Sequence, residues 1–259
     1  MKLKTILAAA AFVACAAGSV SAEALKLGNE GNYPPFSITE ADGSLIGLEP
    51  DLARALCERL GRECEVQAME FNALLPSLVS GRIDMIVSQL FPKPERLEAT
   101  EFTDPVLTNP ETWVVPLSGP DEITPEYLDG KSIGIIKGSW NLPLVREYAP
   151  GATIKQYDNV SGIRLDLEAG RLDVGTVGRL AAAVNIIAAE NGDNYKLIAP
   201  IESLMGNEAF SWAVQKGNTE LRDRVNKELE GLFADCTYTN IRKRYFEVAT
   251  SDREPESCQ

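Results

Sequence analysis

One stretch of the chain, residues 78–96 (LVSGRIDMIVSQLFPKPER), combines polar and charged groups with the pattern of a buried strand. Gly81 is expected to end a helix, because glycine adopts the left-handed cap conformation cheaply, and the apolar run after it is typical of a parallel strand buried on both faces. Ser88 and Gln89 follow at the strand's carboxyl end, where open α/β sheets place ligands. Arg96 then offers a planar fork of donors that suits a carboxylate. The stretch is therefore predicted to hold the acid group of a small molecule.

Strands and helices alternate around that stretch. Residues 24–28 and 65–68 have strand patterns, and residues 48–60 place leucines on one helical face. Strand, helix, strand, helix, strand predicts a parallel α/β sheet. The segment Gly81-Arg82-Ile83-Asp84 returns as Gly170-Arg171-Leu172-Asp173, again between a predicted helix and a predicted strand. A duplicated module therefore predicts two similar α/β lobes.

The order of the elements predicts how the lobes are connected. Amphipathic helices near the C-terminus follow the second lobe and are expected to pack back on the first lobe. The chain would then pass between the lobes twice, which gives a two-strand hinge. We expect one lobe to comprise residues 23–109 and 211–259, and the other to comprise residues 110–210.

Residues 1–22 have the features of a secretory signal peptide. Two lysines precede a short apolar run, and Val20-Ser21-Ala22 is a small-residue cleavage site. Cys15 within the run is a less favoured lipid-attachment site, because the triplet before it is a poor match. Without the two lysines, 23 basic and 38 acidic residues remain, a net charge of −15. Such a charge argues against nucleic acid and anionic lipid as partners.

The cysteines and histidines limit the chemistry further. Four cysteines remain after residue 22, and an even number in an exported protein predicts two disulfides. Pairing of Cys57 with Cys64 and of Cys236 with Cys258 is one of three possible connectivities. The chain has no histidine, which excludes Ser-His-Asp and Cys-His catalysis and makes a zinc site a weak hypothesis. We expect no metal and no cofactor.

An ordered set of motifs resembles the family-3 solute-binding proteins, the extracytoplasmic receptors of polar amino acid ABC transporters. The resemblance covers essentially the whole chain after the signal peptide, and no single motif decides it. It implies a two-lobed α/β periplasmic binding protein of the Venus-flytrap kind, which closes on a ligand and passes it to a membrane permease. The motifs include Tyr33-Pro34-Pro35-Phe36, Pro94-Glu95-Arg96, Phe102-Thr103-Asp104-Pro105, Leu128-Asp129-Gly130-Lys131 and Lys243-Arg244-Tyr245-Phe246.

The spacing of Cys57 and Cys64 and the segment at 70–78 are most similar to the lysine/arginine/ornithine and histidine receptors. That likeness implies that Glu30 binds a cationic side chain and that Tyr33 and Phe71 sandwich its aliphatic stem. It also implies that Arg96 binds the α-carboxylate, with Ser88 at a backbone-contact position. A carboxylate beside aromatic faces suits a guanidinium or an ammonium on a flexible stem.

The sequence departs from the family pattern where the amino acid headgroup would bind. Gly178 stands where these receptors usually carry the aspartate that binds the α-ammonium, and Phe91 and Trp140 replace small hydroxyl residues. Lys93 replaces a threonine and could hold a second carboxylate. An enclosed ammonium without a carboxylate partner is costly. We therefore expect a ligand whose α-nitrogen is substituted or absent, as in opines, or guanidino or betaine-like compounds.

Two further charged residues and one alternative function remain open. Arg179 or Glu202 could supply compensating charge, although no motif supports either residue. An exported enzyme on the same fold, such as a cyclohexadienyl dehydratase, is the alternative function, and Glu30 would be its general acid. The favoured prediction is a periplasmic, monomeric, non-enzymatic receptor for a cationic amino acid or an opine-like ligand.

Overall fold

A computed structural model of the protein describes residues 24–199, 209–248 and 250–258. The predicted signal peptide and Glu202 lie outside these residues. The described strands form two five-stranded sheets and a small three-stranded sheet. The strands are Leu25–Asn29 (β1), Asn32–Tyr33 (β2), Ser37–Thr39 (β3), Leu45–Ile46 (β4), Cys64–Ala68 (β5), Met85–Leu90 (β6), Thr100–Thr108 (β7), Glu111–Pro116 (β8), Ser132–Ile136 (β9), Thr153–Tyr157 (β10), Val174–Gly178 (β11), Tyr195–Ile198 (β12) and Ala209–Gln215 (β13). The α-helices are Leu48–Leu60 (α1), Phe71–Val79 (α2), Pro94–Ala99 (α3), Pro125–Leu128 (α4), Leu142–Tyr148 (α5), Val160–Glu168 (α6), Arg179–Ala182 (α7), Thr219–Ala234 (α8) and Thr237–Arg242 (α9).

The first lobe is built on the sheet β5-β1-β6-β13-β7. Its strands β5, β1 and β6 are parallel, as the sequence predicts, and α1 buries Leu48, Leu52 and Leu56 in the core. Strand β13 differs from that pattern, because it runs antiparallel between β6 and β7. The first sheet is therefore mixed, and the inserted strand β13 comes from the C-terminal part of the chain.

The second lobe is built on the sheet β10-β9-β11-β8-β12. Strands β10, β9 and β11 are parallel, and β8 runs antiparallel between β11 and β12. The chain enters this lobe through the two residues between β7 and β8. The predicted return boundary at 210/211 falls inside β13, and residues 200–208 before that strand are not described.

The duplicated Gly-Arg-apolar-Asp segments have the same geometry in the two lobes. Gly81 and Gly170 both have positive φ, 73° and 65° respectively. In the first lobe Asp84 Oδ2 accepts a hydrogen bond from the Lys26 backbone N–H at 2.8 Å. In the second lobe Asp173 Oδ2 accepts one from the Ser132 N–H, also at 2.8 Å. Asp84 thus joins the start of β6 to β1, and Asp173 joins the start of β11 to β9. The equivalent bonds confirm the two predicted α/β modules.

The C-terminal helices α8 and α9 pack against α1 of the first lobe, as predicted, and the segment after α9 does so as well. The Tyr245 hydroxyl donates a hydrogen bond to Asp51 Oδ2 at 2.7 Å, and the rings of Phe246 and Phe36 lie 4.9 Å apart. Disulfides join Cys57 to Cys64 and Cys236 to Cys258, so the local pairing is the one observed. None of the helices within the described ranges has the length and hydrophobicity needed to cross a membrane.

Candidate functional site

A cavity lies between the two lobes, with an empty volume of about 480 Å³ that includes its opening to solvent. Two of its lining residues are buried acids, Glu30 from the first lobe and Glu111 from the second lobe. Aromatic rings and neutral polar groups make up most of the remaining wall. The lining residues are Glu30, Tyr33, Phe71, Gln89, Asn109, Glu111, Ile136, Ser139, Trp140, Thr176, Val177 and Phe210.

The first lobe contributes residues from the carboxyl ends of three neighbouring strands. Glu30 directly follows β1, Gln89 is near the end of β6, and Phe71 begins the helix after β5. The carboxyl ends of parallel strands meet at one edge of a sheet, which brings these residues together. Asn29 fixes the loop at Glu30, because its side chain donates to the Val87 carbonyl at 2.6 Å and accepts from the Gly31 N–H at 3.0 Å.

Glu30 is a carboxyl group in a poorly solvated environment. It is 9% exposed, and Oε1 has no hydrogen-bond partner among the described residues. Burial raises the pKa of Glu30 from 4.5 to about 8, and the charge of Glu70 adds to the shift. The side chain therefore has a buried acceptor without a partner among the described residues, and a cation beside the carboxylate would offset the cost of burying its charged form.

The second lobe contributes the other wall of the cavity. Ser139 and Trp140 lie in the loop after β9, and Thr176 lies near the end of β11. Glu111 is the first residue of β8, which runs antiparallel to β11 and therefore begins at the edge where β11 ends. The Thr176 hydroxyl lies 3.5 Å from Glu111 Oε2 and donates to it. The same edge of the second sheet thus carries a buried carboxylate and a hydroxyl.

Tyr33, Asn109 and Gly178 meet where the lobes contact each other. The Gly178 N–H donates to the Tyr33 hydroxyl at 3.2 Å, and Asn109 accepts from the Leu180 N–H at 3.0 Å. Asn109 also donates to Gln89 Oε1 at 2.9 Å. A Cβ atom at position 178 would lie 2.2 Å from Asn109 Nδ2 and 2.8 Å from the Tyr33 oxygen. Glycine is therefore required by this packing.

Arg96 connects the two lobes beside the cavity. Its Nη1 donates to the Phe91 carbonyl at 2.9 Å, and its Nη2 donates to the Gly138 carbonyl of the second lobe at 3.0 Å. Its Cζ lies 5.7 Å from the centre of the Phe71 ring. Burial lowers the pKa of Arg96 to about 10, which leaves it charged at neutral pH.

Known proteins resemble this chain over nearly its whole length. Residues 25–248 match the family described as bacterial extracellular solute-binding proteins, family 3. The chain belongs to that family. It is 31% identical over 239 residues to the histidine-binding periplasmic protein of Escherichia coli (strain K12), and the match covers 90% of this chain and 92% of that protein. It is 30% identical over 254 residues to the lysine/arginine/ornithine-binding periplasmic protein of the same strain, and the match covers 94% of this chain and 97% of that protein. Among solved structures, an ancestral arginine-binding protein bound to arginine is 30% identical with a TM-score of 0.80, and the match covers 87% of this chain and 99% of that one.

In this family-3 solute-binding protein, five of the nine residues predicted to bind ligand line the cavity. They are Glu30, Tyr33, Phe71, Gln89 and Trp140. Ser88, Phe91, Arg96 and Gly178 do not line it. Ser88 is next to Gln89 on β6, so the pleat of the strand turns its side chain to the other face. The Phe91 ring instead packs 4.8 Å from the Trp140 ring, and Arg96 and Gly178 have the contacts given above.

Lys93 and Arg179, the two residues considered as additional positive charges for the site, do not line the cavity either. Lys93 does not line it, and its carbonyl accepts the Arg96 backbone N–H at 2.9 Å at the start of α3. Arg179 is exposed at the start of α7. Neither position brings a positive charge to the cavity wall.

Seven lining residues were not among the predicted ligand-binding residues, and four of them carry polar groups: Asn109, Glu111, Ser139 and Thr176. Asn109 and Glu111 flank Pro110 in the segment that passes between the lobes. One signal was available for Glu111, since an acid begins the mostly apolar strand ETWVVP. A charged group at the head of a buried strand needs a partner or a function.

Proposed function

We propose that this protein is the exported substrate-binding receptor of an ABC importer and that it binds a small ligand with a cationic side chain. The observation that carries the proposal is Glu30, which lines the cavity between the lobes and whose buried Oε1 has no hydrogen-bond partner among the described residues. A guanidinium or an ammonium beside that oxygen would offset the cost of burying the carboxylate. Tyr33 and Phe71, on the same cavity, suit the aliphatic stem of such a group.

Arg96 lies beside the cavity and not on its wall, with its Cζ 5.7 Å from the ring centre of the lining residue Phe71. It is our candidate for binding the carboxylate of the ligand. Two of the five N–H donors of its guanidinium bond to the Phe91 and Gly138 carbonyls, which leaves three donors. Since the two carbonyls belong to different lobes, Arg96 would bind the carboxylate and hold the lobes together at once. The ligand class is then a cationic amino acid or an N-substituted, opine-like derivative, and the relatives named for arginine, lysine, ornithine and histidine support the cationic part.

Export and transfer to a permease follow from the same proposal. Family-3 proteins are extracellular, and residues 1–22 have the features of a signal peptide. We infer that the protein acts as a monomer in the periplasm and delivers its ligand to the membrane permease of the importer.

A second candidate function is catalysis, and one observation favours it. A carboxylic acid with a pKa of about 8 is protonated at neutral pH and could act as a general acid in a dehydratase-like reaction. The relatives reported above are named as binding proteins, which supports the receptor. Turnover of prephenate or arogenate would establish a dehydratase activity. No turnover, together with tight binding of a cationic ligand, would exclude that activity.

Thermal unfolding with a panel of ligands tests the receptor. The panel contains arginine, lysine, ornithine, histidine, octopine-type opines, agmatine and, as controls, glutamate and leucine. A ligand at 100 times its Kd adds about 2.7 kcal/mol to the free energy of unfolding. We expect the cationic amino acids or opines to raise the melting temperature and the two controls to leave it unchanged. Failure of every cationic ligand to raise it would contradict the proposal.

A further inference from the structure

The cavity has a second buried carboxylate that no family motif marks. Glu111 is 7% exposed and lines the cavity from the second lobe, whereas Glu30 lines it from the first lobe. The two acids also share a neighbour, Tyr33. Burial raises the pKa of Tyr33, and the charges of Glu111 and Glu30 raise it further. A ligand in the cavity therefore meets one carboxylate from each lobe.

Glu111 lies directly beside the position where the sequence lacks an acid. In the antiparallel pairing of β8 with β11, Glu111 is the register partner of Gly178. Residues directly opposite each other in such a pair have Cβ positions about 5 Å apart on the same face of the sheet. A carboxylate at 111 and a side chain at 178 would therefore extend from the same face and the same edge of the second sheet.

Position 178 itself has no space for an acid. A Cβ there would meet Asn109 Nδ2 at 2.2 Å and the Tyr33 hydroxyl oxygen at 2.8 Å. Its backbone, with φ of −56°, would accept any residue, so the restriction comes from the packing. Asn109 is held in that place by bonds to Gln89 and to the Leu180 N–H. The acid is excluded from β11 and is present on the adjacent strand.

Neighbouring polar groups hold Glu111 in position. Thr176, two residues before Gly178 and so on the same face of β11, donates from Oγ1 to Glu111 Oε2 at 3.5 Å. Asn141 Nδ2 lies 3.4 Å from that hydroxyl and donates to it. Glu111 is thus part of a buried polar network at the wall of the cavity.

We infer that Glu111 binds a free ammonium group of the ligand and replaces the carboxylate that is absent at position 178. The inference rests on the proposed function, because it assumes that the cationic side chain of the same ligand lies at Glu30. It reverses the expectation drawn from Gly178 alone, that the α-nitrogen is substituted or absent. The ligand class becomes an amino acid with a free α-ammonium and a second cation at the end of its side chain.

Calorimetric titration of two matched ligands tests this assignment. The ligands are L-arginine and Nα-acetyl-L-arginine, which keeps the guanidinium and the carboxylate but has no ammonium. The protein is first unfolded and refolded to remove bound ligand. The wild-type protein should prefer arginine by about 10- to 100-fold, the range of a hydrogen bond to a charged group. Glu111→Gln should lower the affinity for arginine by a similar factor and remove the preference.

Two further variants separate binding from misfolding. Glu111→Asp keeps the charge and should keep a preference for arginine, at lower affinity. Glu30→Gln should weaken both ligands by the same factor and leave the preference intact, because both ligands carry the guanidinium. A Glu111→Gln protein that still prefers arginine, or a wild type that binds both ligands equally, would overturn the assignment. If only N-substituted ligands such as the opines bind the wild type, the proposed function stands and the role of Glu111 fails. If no cationic ligand of the panel binds, both fail.

Discussion

The two lobes are alike where their strands begin and different where their strands end. At the start, Asp84 and Asp173 accept equivalent backbone hydrogen bonds, from Lys26 and Ser132. At the end, β6 continues into a loop that leads to α3 and Arg96, whereas β11 passes directly from Gly178 into α7. The shared part maintains the sheets, and the part that differs forms the cavity. One scaffold can therefore be duplicated while its two ligand-facing edges acquire separate roles.

The arginines that follow the two strands give the sharpest contrast. Arg96 is buried and bonds to carbonyls in both lobes, whereas Arg179 is exposed. Arg96→Ala should lower the affinity for the best ligand by about 30-fold or more, because truncating a buried, hydrogen-bonded charge costs about 2–5 kcal/mol or more. Arg179→Ala is the matched control and should change the affinity less than about twofold.

Arg96→Lys separates charge from geometry in the same calorimetric titration. A lysine keeps the positive charge but lacks the planar fork that reaches two carbonyls. It should therefore recover only part of the affinity lost in Arg96→Ala. Ligand binding by Arg96→Ala that stays within about threefold of the wild type would show that Arg96 does not contact the ligand and does not hold the lobes together.

The glycine that ends β11 tests the contact between the lobes. Gly178→Ala would bring a methyl group against Asn109 and Tyr33, and overpacking of this kind costs about 1–3 kcal/mol. Because Tyr33 belongs to the other lobe, the cost falls on the arrangement in which the two lobes contact each other, and ligand affinity should drop by about 5- to 150-fold. Small-angle X-ray scattering should also show a more extended protein.

Gly175→Ala is the matched control on the same strand. Its Cβ would meet Ile163 and Leu167 inside the second lobe, with a nearest distance of 3.1 Å. It should lower the melting temperature and leave the affinity unchanged. Equal loss of affinity in both variants would mean that Gly178 acts through the stability of its lobe and not through the contact with Tyr33.

The repeated aspartates should matter for stability and not for binding. Asp84→Ala and Asp173→Ala each remove a backbone hydrogen bond between strands, which is worth about 1.5–3 kcal/mol when the acceptor is charged. Denaturant titration should show a loss of stability in both variants, larger for Asp173→Ala because Asp173 also accepts from the Ser132 hydroxyl at 2.7 Å and lies 3.5 Å from Lys131 Nζ. Ligand affinity should be preserved at low denaturant. Asp42, an exposed acid that bonds within its own turn, is the control, and its alanine variant should have little effect. A large loss of affinity in either variant would contradict the division between scaffold and site.

The sequence predicted the scaffold better than the site. Gly81-Arg82-Ile83-Asp84 and its repeat were sufficient to predict two modules, because the same pattern stands between a predicted helix and a predicted strand in both places. Glu30 and Tyr33 were found through the family resemblance. Glu111 was missed, because its place beside Gly178 depends on β8 entering the second sheet antiparallel, next to β11. That pairing joins residues far apart in the chain, and no local pattern specifies it.

The smallest effect we predict is a proton released when ligand binds at the first-lobe edge. Glu30 has a pKa of about 8, so the free protein carries a proton there at pH 7. A cation beside the carboxylate favours its charged form, so binding should release up to about one proton at pH 7, and affinity should rise as pH increases toward 8. Titrations in buffers with different ionisation enthalpies measure this release.

Stability without ligand should change with pH in the opposite direction. The raised pKa means that the folded protein binds more protons than the unfolded chain between about pH 4.5 and 8, so its stability should fall as pH rises through that range. Burial also raises the pKa of Glu49, which contributes to the same slope but does not line the cavity. Glu30→Gln should therefore flatten the slope only in part and abolish the proton release completely. A release that persists in Glu30→Gln would place the titrating group elsewhere and would remove the main support for a cation at Glu30.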